Sequence, residues 1–247
     1  MAQPAATGFE EPAATGCVPT SLENQHGRTP YYQRGSVTLY HADCRELSIP
    51  CDLLVTDPPY GVNYKSRTDR FDVLTGDDDL AGVTAALLHV VKGLQPRRHC
   101  YIFGHKFDFT GFPLSGFTRL VWDKERVGIG NLASPWGPQH ELITFAVKTP
   151  SKANRAAGDG NLAARLRKGS VLRDRRSCAL RHPTEKPISI LREMIESSSR
   201  FGETVYDPFA GSGSTLIAAA LEGRLGVGCE INERFCEISA KRFEKEL

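Results

Sequence analysis

The chain has 247 residues, 40% of them hydrophobic and 24% charged, with a net charge of +2. That length and balance suit one soluble domain large enough to bury a full core. No apolar run reaches the ~18 residues of a membrane span, and the N-terminus lacks a charged start followed by an apolar stretch, which speaks against a spanning or exported protein.

Residues 1–33, rich in Ala, Gly, Pro and Thr without apolar periodicity, read as a disordered arm ahead of a domain over 34–247, with the fold starting near Ser36. Val37 to His41 alternates like a strand. Asp52 to Thr56 is a short apolar run of the kind found in buried parallel strands, and each of the two strands leads into an acid, Asp43 and Asp57. After a polar loop over 61–79, Leu80, Val83, Leu87, Val91 and Leu94 recur at helical spacing, with Gly93 and Pro96 closing the helix. His99 to Phe103, Phe117 to Trp122 and Glu141 to Val147 are further strand candidates.

The stretch 148–181 lacks a sustained period and reads as an inserted loop region rather than a core layer. It holds ten Lys or Arg against Asp159 and Asp174, a local charge of +8 that leaves −6 for the rest. A basic island on an acidic body points to a polyanionic partner, because phosphate neutralisation dominates non-specific nucleic-acid affinity. Beyond it, Pro187 suits a helix start and Leu191, Met194 and Ile195 give that helix an apolar face. Thr204 to Tyr206 is a strand, Ser214 to Leu221 a helix, Leu225 to Cys229 a strand, and Asn232 caps a last helix. Alternating strands and helices at both ends predict an α/β fold with a doubly wound, mostly parallel sheet and ligands beyond the carboxyl ends of its strands.

The seven cysteines (17, 44, 51, 100, 178, 229 and 236) form no Cys-x-x-Cys pair and no Cys/His group at zinc spacing, so reduced thiols, a cytoplasmic setting and no metal are expected. Pro50-Cys51 resembles the nucleophile of cytosine-C5 methyltransferases, but it opens a strand and reads as a packing residue.

Two motifs carry chemistry. In Asp207-Pro208-Phe209-Ala210-Gly211-Ser212-Gly213, the glycines fall between a strand and a helix, where the backbone must turn tightly and approach a ligand. Glu230 ends the next strand, nineteen residues after Gly211, where an acid suits the two hydroxyls of a ribose. The third small residue of a dinucleotide fingerprint is replaced by Leu216, and no Gly-Lys-Ser/Thr phosphate loop occurs. S-adenosylmethionine, a nucleoside without pyrophosphate, meets that description.

The second motif is Asp57-Pro58-Pro59-Tyr60. An exocyclic amine is a poor nucleophile because its lone pair is delocalised into the ring. The Asp57 carboxylate and the Pro58 carbonyl can accept its two hydrogens and stabilise positive charge developing on nitrogen. The prolines stiffen the segment, Pro59 offers no competing N–H, and Tyr60 presents a ring face on which a base taken out of the helix can stack.

These residues resemble the amino-methyltransferases of bacterial restriction-modification systems and phages, in the circularly permuted group whose catalytic motif precedes the cofactor motif. The matching stretches are Val37 to Asp43, Asp52 to Gly61, Trp122-Asp123-Lys124, His140-Glu141, His182 to Pro187, Asp207 to Ser214 and Gly223 through Glu230. The resemblance implies a Rossmann-like sheet of the S-adenosylmethionine-dependent methyltransferase type, double-stranded DNA as partner, and adenine N6 as target, since the family's Asp-Pro-Pro-Tyr form usually marks adenine enzymes. It implies a base pocket at Asp57, Pro58, Pro59 and Tyr60. It also implies cofactor contacts from Asp43, Thr184, Lys186, Asp207, Phe209, Gly211, Gly213 and Glu230, with Thr184 and Lys186 near the methionine end. The same resemblance makes 148–181 the target-recognition region, with Lys152, Arg155, Arg165, Arg167, Lys168, Arg173, Arg175 and Arg176 facing DNA. Two departures stand out: Ser214 replaces a usual Thr, and Pro135 to Gln139 stands where the family often has an arginine before His-Glu.

Cytosine-N4 methylation on the same architecture is the nearest alternative. An RNA or protein-glutamine methyltransferase would more often carry Asn-Pro-Pro-Tyr, and a catalytically silent DNA-binding derivative is opposed by the intact Asp57, Tyr60, Gly211, Gly213 and Glu230. Oligomeric state, including a homodimer, is left open by the sequence.

Overall fold

The computed structural model describes residues 28–59, 79–104, 106–128, 133–151, 166–174 and 185–247. Within them one sheet runs β1(Tyr32–Arg34), β2(Val37–His41), β9(Leu225–Glu230), β8(Thr204–Asp207), β3(Cys51–Thr56), β4(Leu94–Phe103), β6(His140–Lys148), β5(Leu114–Asp123) and β7(Val171–Arg173) from edge to edge. The block β2-β9-β8-β3-β4 is parallel throughout. β6 runs antiparallel between β4 and β5, and β7 joins β5 in parallel.

Helix α1(Leu80–Gly93) covers one face, packing Val83, Ala86, Leu87, Val90 and Val91 with Leu54, Cys100, Ile102 and Tyr206 of the sheet. The other face carries α2(Ile188–Ser198) and α3(Ser214–Leu221), whose Leu191, Met194, Ile195, Ala218 and Ala219 meet Leu53, Val55, Tyr101, Phe103 and Ile143. Through Cys236 and Phe243, α4(Glu233–Glu246) joins Val37, Leu39, Leu216 and Ile217. The apolar alternation within β3 thus feeds cores on both faces, as a buried parallel strand requires, and the expected doubly wound sheet is what forms.

The helix ends are capped as their residues dictate. Asp79 accepts the Gly82 N–H at 2.8 Å and Asn232 accepts that of Arg234 at 3.0 Å. Gly93 serves packing as much as termination, since a Cβ there would lie 2.5 Å from the Ile49 carbonyl oxygen.

Leu216, which occupies the place of a third fingerprint glycine, is accommodated by glycines on the strand. A Cβ on Gly226 would come within 3.1 Å of the Leu216 backbone, and one on Gly228 within 2.9 Å of its side chain. The close helix-to-sheet approach that a glycine on the helix would provide is supplied here from β9.

Three expectations are corrected. Ordered structure begins before Ser36, because β1 pairs antiparallel with β2 and reaches into the residues read as the arm. β4 starts at Leu94 rather than His99, with a register shift against β3 near Arg97, whose φ is +63°. The stretch 148–181 is not all loop: β7 pairs with β5 and buries Leu172 in the core, so the segment contributes an edge strand. Among the described residues no helix is long and apolar enough to cross a membrane.

Candidate active site

The two motifs end adjacent parallel strands. β3 and β8 pair through Leu53 with Val205 and Leu54 with Tyr206, so Asp57, just past β3, and Asp207, closing β8, emerge side by side at the carboxyl edge. The Thr56 hydroxyl donates to the Asp207 carboxylate at 2.9 Å and ties the two strand ends together. The same oxygen accepts the Phe209 N–H at 3.1 Å, which sets the first bend of the glycine turn.

Asp207 was expected to touch a cofactor. Its carboxyl group is buried and engaged by the turn itself, and burial pushes its pKa from 3.8 to about 6 against the opposing hydrogen bonds from Thr215 and Thr56. Through these bonds it braces the turn. Because the folded pKa lies above the ordinary one, the stability tied to the protonated form is complete below pH ~4 and is lost as pH rises through about 6. Asp207→Asn lacks that loss. Urea unfolding at pH 4.5 and 7.5 will show the variant gaining on the parent by on the order of 2 kcal/mol at the higher pH; a difference that does not change with pH would contradict the burial of an ionisable group there.

Next door, Gly211 and Gly213 take φ of +52° and +78°, the left-handed conformation that favours glycine. Glu230, at the end of β9, accepts the Gly211 N–H at 2.9 Å with one oxygen and the Asn232 N–H at 2.8 Å with the other. Burial raises its pKa, and these N–H groups oppose that rise. Asp43 lies just beyond the partner strand β2, whose His41 pairs with Glu230. It accepts the Arg45 N–H at 2.9 Å and is held below the usual carboxylate range mainly by the Arg45 side chain. Arg242 of α4 clasps the turn from behind, donating to the Ser212 carbonyl at 3.2 Å and the Ser214 hydroxyl at 2.8 Å, and it reaches Glu185 at 3.1 Å.

Lys186 was expected beside the cofactor's methionine end. Its ammonium meets Asp57 at 2.5 Å and Glu141 at 3.3 Å and sits 5.0 Å from the centre of the Phe103 ring. Glu141 of β6 also meets Lys124 of β5 at 2.7 Å, and Lys124 lies over Trp122. Trp122 is fully buried, with its indole N–H on the Asp174 carbonyl. The cysteines described (44, 51, 100, 229 and 236) are free and buried, and burial raises the Cys51 thiol well above its ordinary pKa, consistent with packing rather than nucleophilic attack.

The edge therefore presents an acid with a neighbouring carbonyl and a tight acidic turn, a geometry suited to holding an amine near a cationic, nucleoside-bearing group. A family model described as DNA methylase matches residues 51–241. The chain belongs to the DNA methylase family. It is 25% identical to the Type II methyltransferase M2.DpnII of Streptococcus pneumoniae over 88% of this chain and 93% of that one. Identity to the DNA adenine methyltransferase YhdJ of Escherichia coli K12 is 27%, over 93% and 87% of the two chains. Among solved structures it superposes on the M1.HpyAVI–SAM complex with a TM-score of 0.60 at 19% identity, covering 84% and 98% of the two chains. On the PvuII DNA methyltransferase the TM-score is 0.63 at 17% identity, covering 88% and 89%, and at such identities both likenesses speak for the fold alone.

Of the residues expected from sequence, Asp57, Pro58, Asp43, Phe209, Gly211, Gly213 and Glu230 gather on this edge. Tyr60, Thr184, Lys152, Arg155, Arg165, Arg175 and Arg176 lie outside the described residues. The described cations of the basic stretch diverge. Arg173 closes β7 at the same edge, 3.8 Å from Asp123, whereas Lys168 is held by Glu196 in the last turn of α2, and Lys148 donates to the Val91 carbonyl at the end of α1. Sequence reasoning missed Lys124 and Arg242, and gave Glu141 no definite place. Lys124 and Glu141 sit within matched motifs that could have been paired across the hairpin, but Arg242 reads only as a surface helix charge.

Proposed function

We propose that this protein transfers a methyl group from S-adenosylmethionine to adenine N6 in duplex DNA, as a circularly permuted member of its family. The observation that carries the reading is the side-by-side emergence of Asp57 and the Asp207–Gly213 turn from paired strands. In this chain the base-binding motif precedes the cofactor motif, which supports the permuted order.

The residues present fit S-adenosylmethionine. Gly211 and Gly213 keep the turn free of side chains, and Glu230, already oriented by two N–H groups, offers its remaining lone pairs to ribose hydroxyls. The acidic edge favours a sulfonium and disfavours a pyrophosphate. When bound, S-adenosylmethionine supplies an electrophilic methyl carbon.

Asp57 and the Pro58 carbonyl accept the two hydrogens of the target amine and turn its lone pair toward that carbon. Displacement of this kind needs positioning rather than a covalent nucleophile. Tyr60 stacks on the extruded base, and Asp57 is the nearest acceptor for the proton that the alkylated nitrogen sheds. Arg173, with Arg167, Lys152, Arg155, Arg165, Arg175 and Arg176, neutralises DNA phosphates and offsets the few kcal/mol that extrusion costs. The names of M2.DpnII and YhdJ, a Type II methyltransferase and a DNA adenine methyltransferase, agree with this reading.

Nucleoside mass spectrometry of DNA incubated with the protein and S-adenosylmethionine tests it. N6-methyladenine is expected. N4-methylcytosine would overturn the choice of base, and unmodified DNA the activity itself.

A further inference from the structure

The site holds more charge than gripping an amine requires. Lys186 is 93% buried at its side chain and stands between two carboxylates, hydrogen-bonded to Asp57 Oδ2 at 2.5 Å but only within ion-pair range of Glu141 Oε2 at 3.3 Å. That Glu141 oxygen is buried and has no hydrogen-bond partner among the described residues. Its sister oxygen is fixed by Lys124 at 2.7 Å, so the carboxylate is anchored on one side and open toward Lys186 on the other. A buried oxygen left without a hydrogen bond is costly unless another state of the molecule satisfies it.

Lys186 and the target amine both need the Asp57 carboxylate. An ammonium on Oδ2 withdraws electron density from the group that must stabilise positive charge on the reacting nitrogen, so each increment of Lys186 contact weakens that stabilisation. We propose that Glu141 is a positioning residue that gives the Lys186 ammonium a second seat, drawing it off Asp57 as the base arrives so that Asp57 can serve the amine. The ammonium lies 0.8 Å farther from Glu141 than from Asp57 (3.3 against 2.5 Å), and the Phe103 ring centre 5.0 Å away adds an apolar face that favours the cation. Burial alone would raise the Glu141 pKa, but Lys186 and Lys124 outweigh it and hold the group below the usual glutamate range. Glu141 therefore stays an anion at neutral pH. Lys124, bound to the far oxygen and stacked near Trp122, keeps Glu141 from following Lys186 toward Asp57.

The inference rests on the function proposed above. Its test is steady-state methyl transfer from tritiated S-adenosylmethionine to DNA by the full chain, with cofactor affinity measured by calorimetry. Glu141→Gln keeps the shape and removes the charge. Its kcat is expected to fall about tenfold to a hundredfold, while KM for DNA and cofactor affinity stay within about twofold, the signature of an interaction realised in the transition state. Glu141→Asp keeps the charge and should recover most of the lost kcat. Wild-type kcat in Glu141→Gln would overturn the proposal. So would a fall in kcat matched by an equal loss of cofactor affinity, or a Glu141→Asp variant as slow as Glu141→Gln, since either marks a structural role. Inactivity of the wild-type protein in the same assay would instead reject the methyl-transfer reading itself.

Discussion

Asp57→Ala will lower methyl transfer by about 10³-fold or more while leaving S-adenosylmethionine affinity within about threefold of the parent. The size follows from removing the one carboxylate at the end of β3 that can accept an amine hydrogen, in a site where positioning and charge stabilisation supply the catalysis. The selectivity follows from geometry. The Gly211 to Gly213 turn is held by Glu230, Asp207 and Arg242, and the turn's conformation does not depend on Asp57. Lys186 loses its 2.5 Å partner in this variant but retains Glu141, so the buried cation is not stranded and the fold should survive. Equilibrium dialysis with labelled cofactor, run beside the transfer assay, separates the two quantities. Loss of cofactor binding in parallel with turnover would show that Asp57 belongs to the cofactor half.

Gly213→Ala is the second large effect, and it reaches both stability and the site. The residue caps α3 with φ of +78°, where an L side chain costs about 1–2 kcal/mol. A Cβ there would also lie 2.5 Å from two ring atoms of Phe243 and 3.2 Å from the Ser239 hydroxyl. Phe243 is among the largest fully buried side chains, so a Cβ there must displace its ring within the core, and overpacking adds about 1–3 kcal/mol. Denaturant unfolding should show a loss of about 2–5 kcal/mol. Adding Phe243→Leu relieves the clash but not the backbone strain, so the two changes should be non-additive in the favourable direction by about 1 kcal/mol. Strict additivity would mean that the ring is not what excludes a side chain. The glycine is thus required by α4 packing behind the turn as well as by any ligand in front of it.

That double demand bears on how much the sequence could disclose. The parallel strands were legible because β2, β3, β8 and β9 are short apolar runs ending in acids or turns, and the motif residues report their strand ends directly. The adjacency of β3 and β8 was implied only by chemistry, since nothing local in Leu53 or Val205 names its partner. β1 and β7 escaped notice because three-residue edge strands carry no period, and Leu172 alone buries in the core. Arg242 was invisible because an arginine four residues before Glu246 looks like a solvated helix pair, yet it is buried behind the glycine turn. Lys186 was seen as a motif member, but its contact with Asp57 was not foreseen. Its contact with Asp57 spans 129 residues of chain and depends on the placement of α2 across the sheet. Charge counting found the basic stretch but could not tell Arg173, at the site edge, from Lys168 and Lys148, which are engaged elsewhere.

The most direct test is a crystal structure of the protein with a non-reactive S-adenosylmethionine analogue and duplex DNA carrying a methylatable site. The analogue's ribose is expected on Glu230, its chain crossing the Gly211 to Gly213 turn, and its reactive end facing an extruded adenine whose amino group is held by Asp57 and the Pro58 carbonyl. An analogue bound at another edge of the sheet, or an adenine amine held by groups other than these two, would contradict the proposed function.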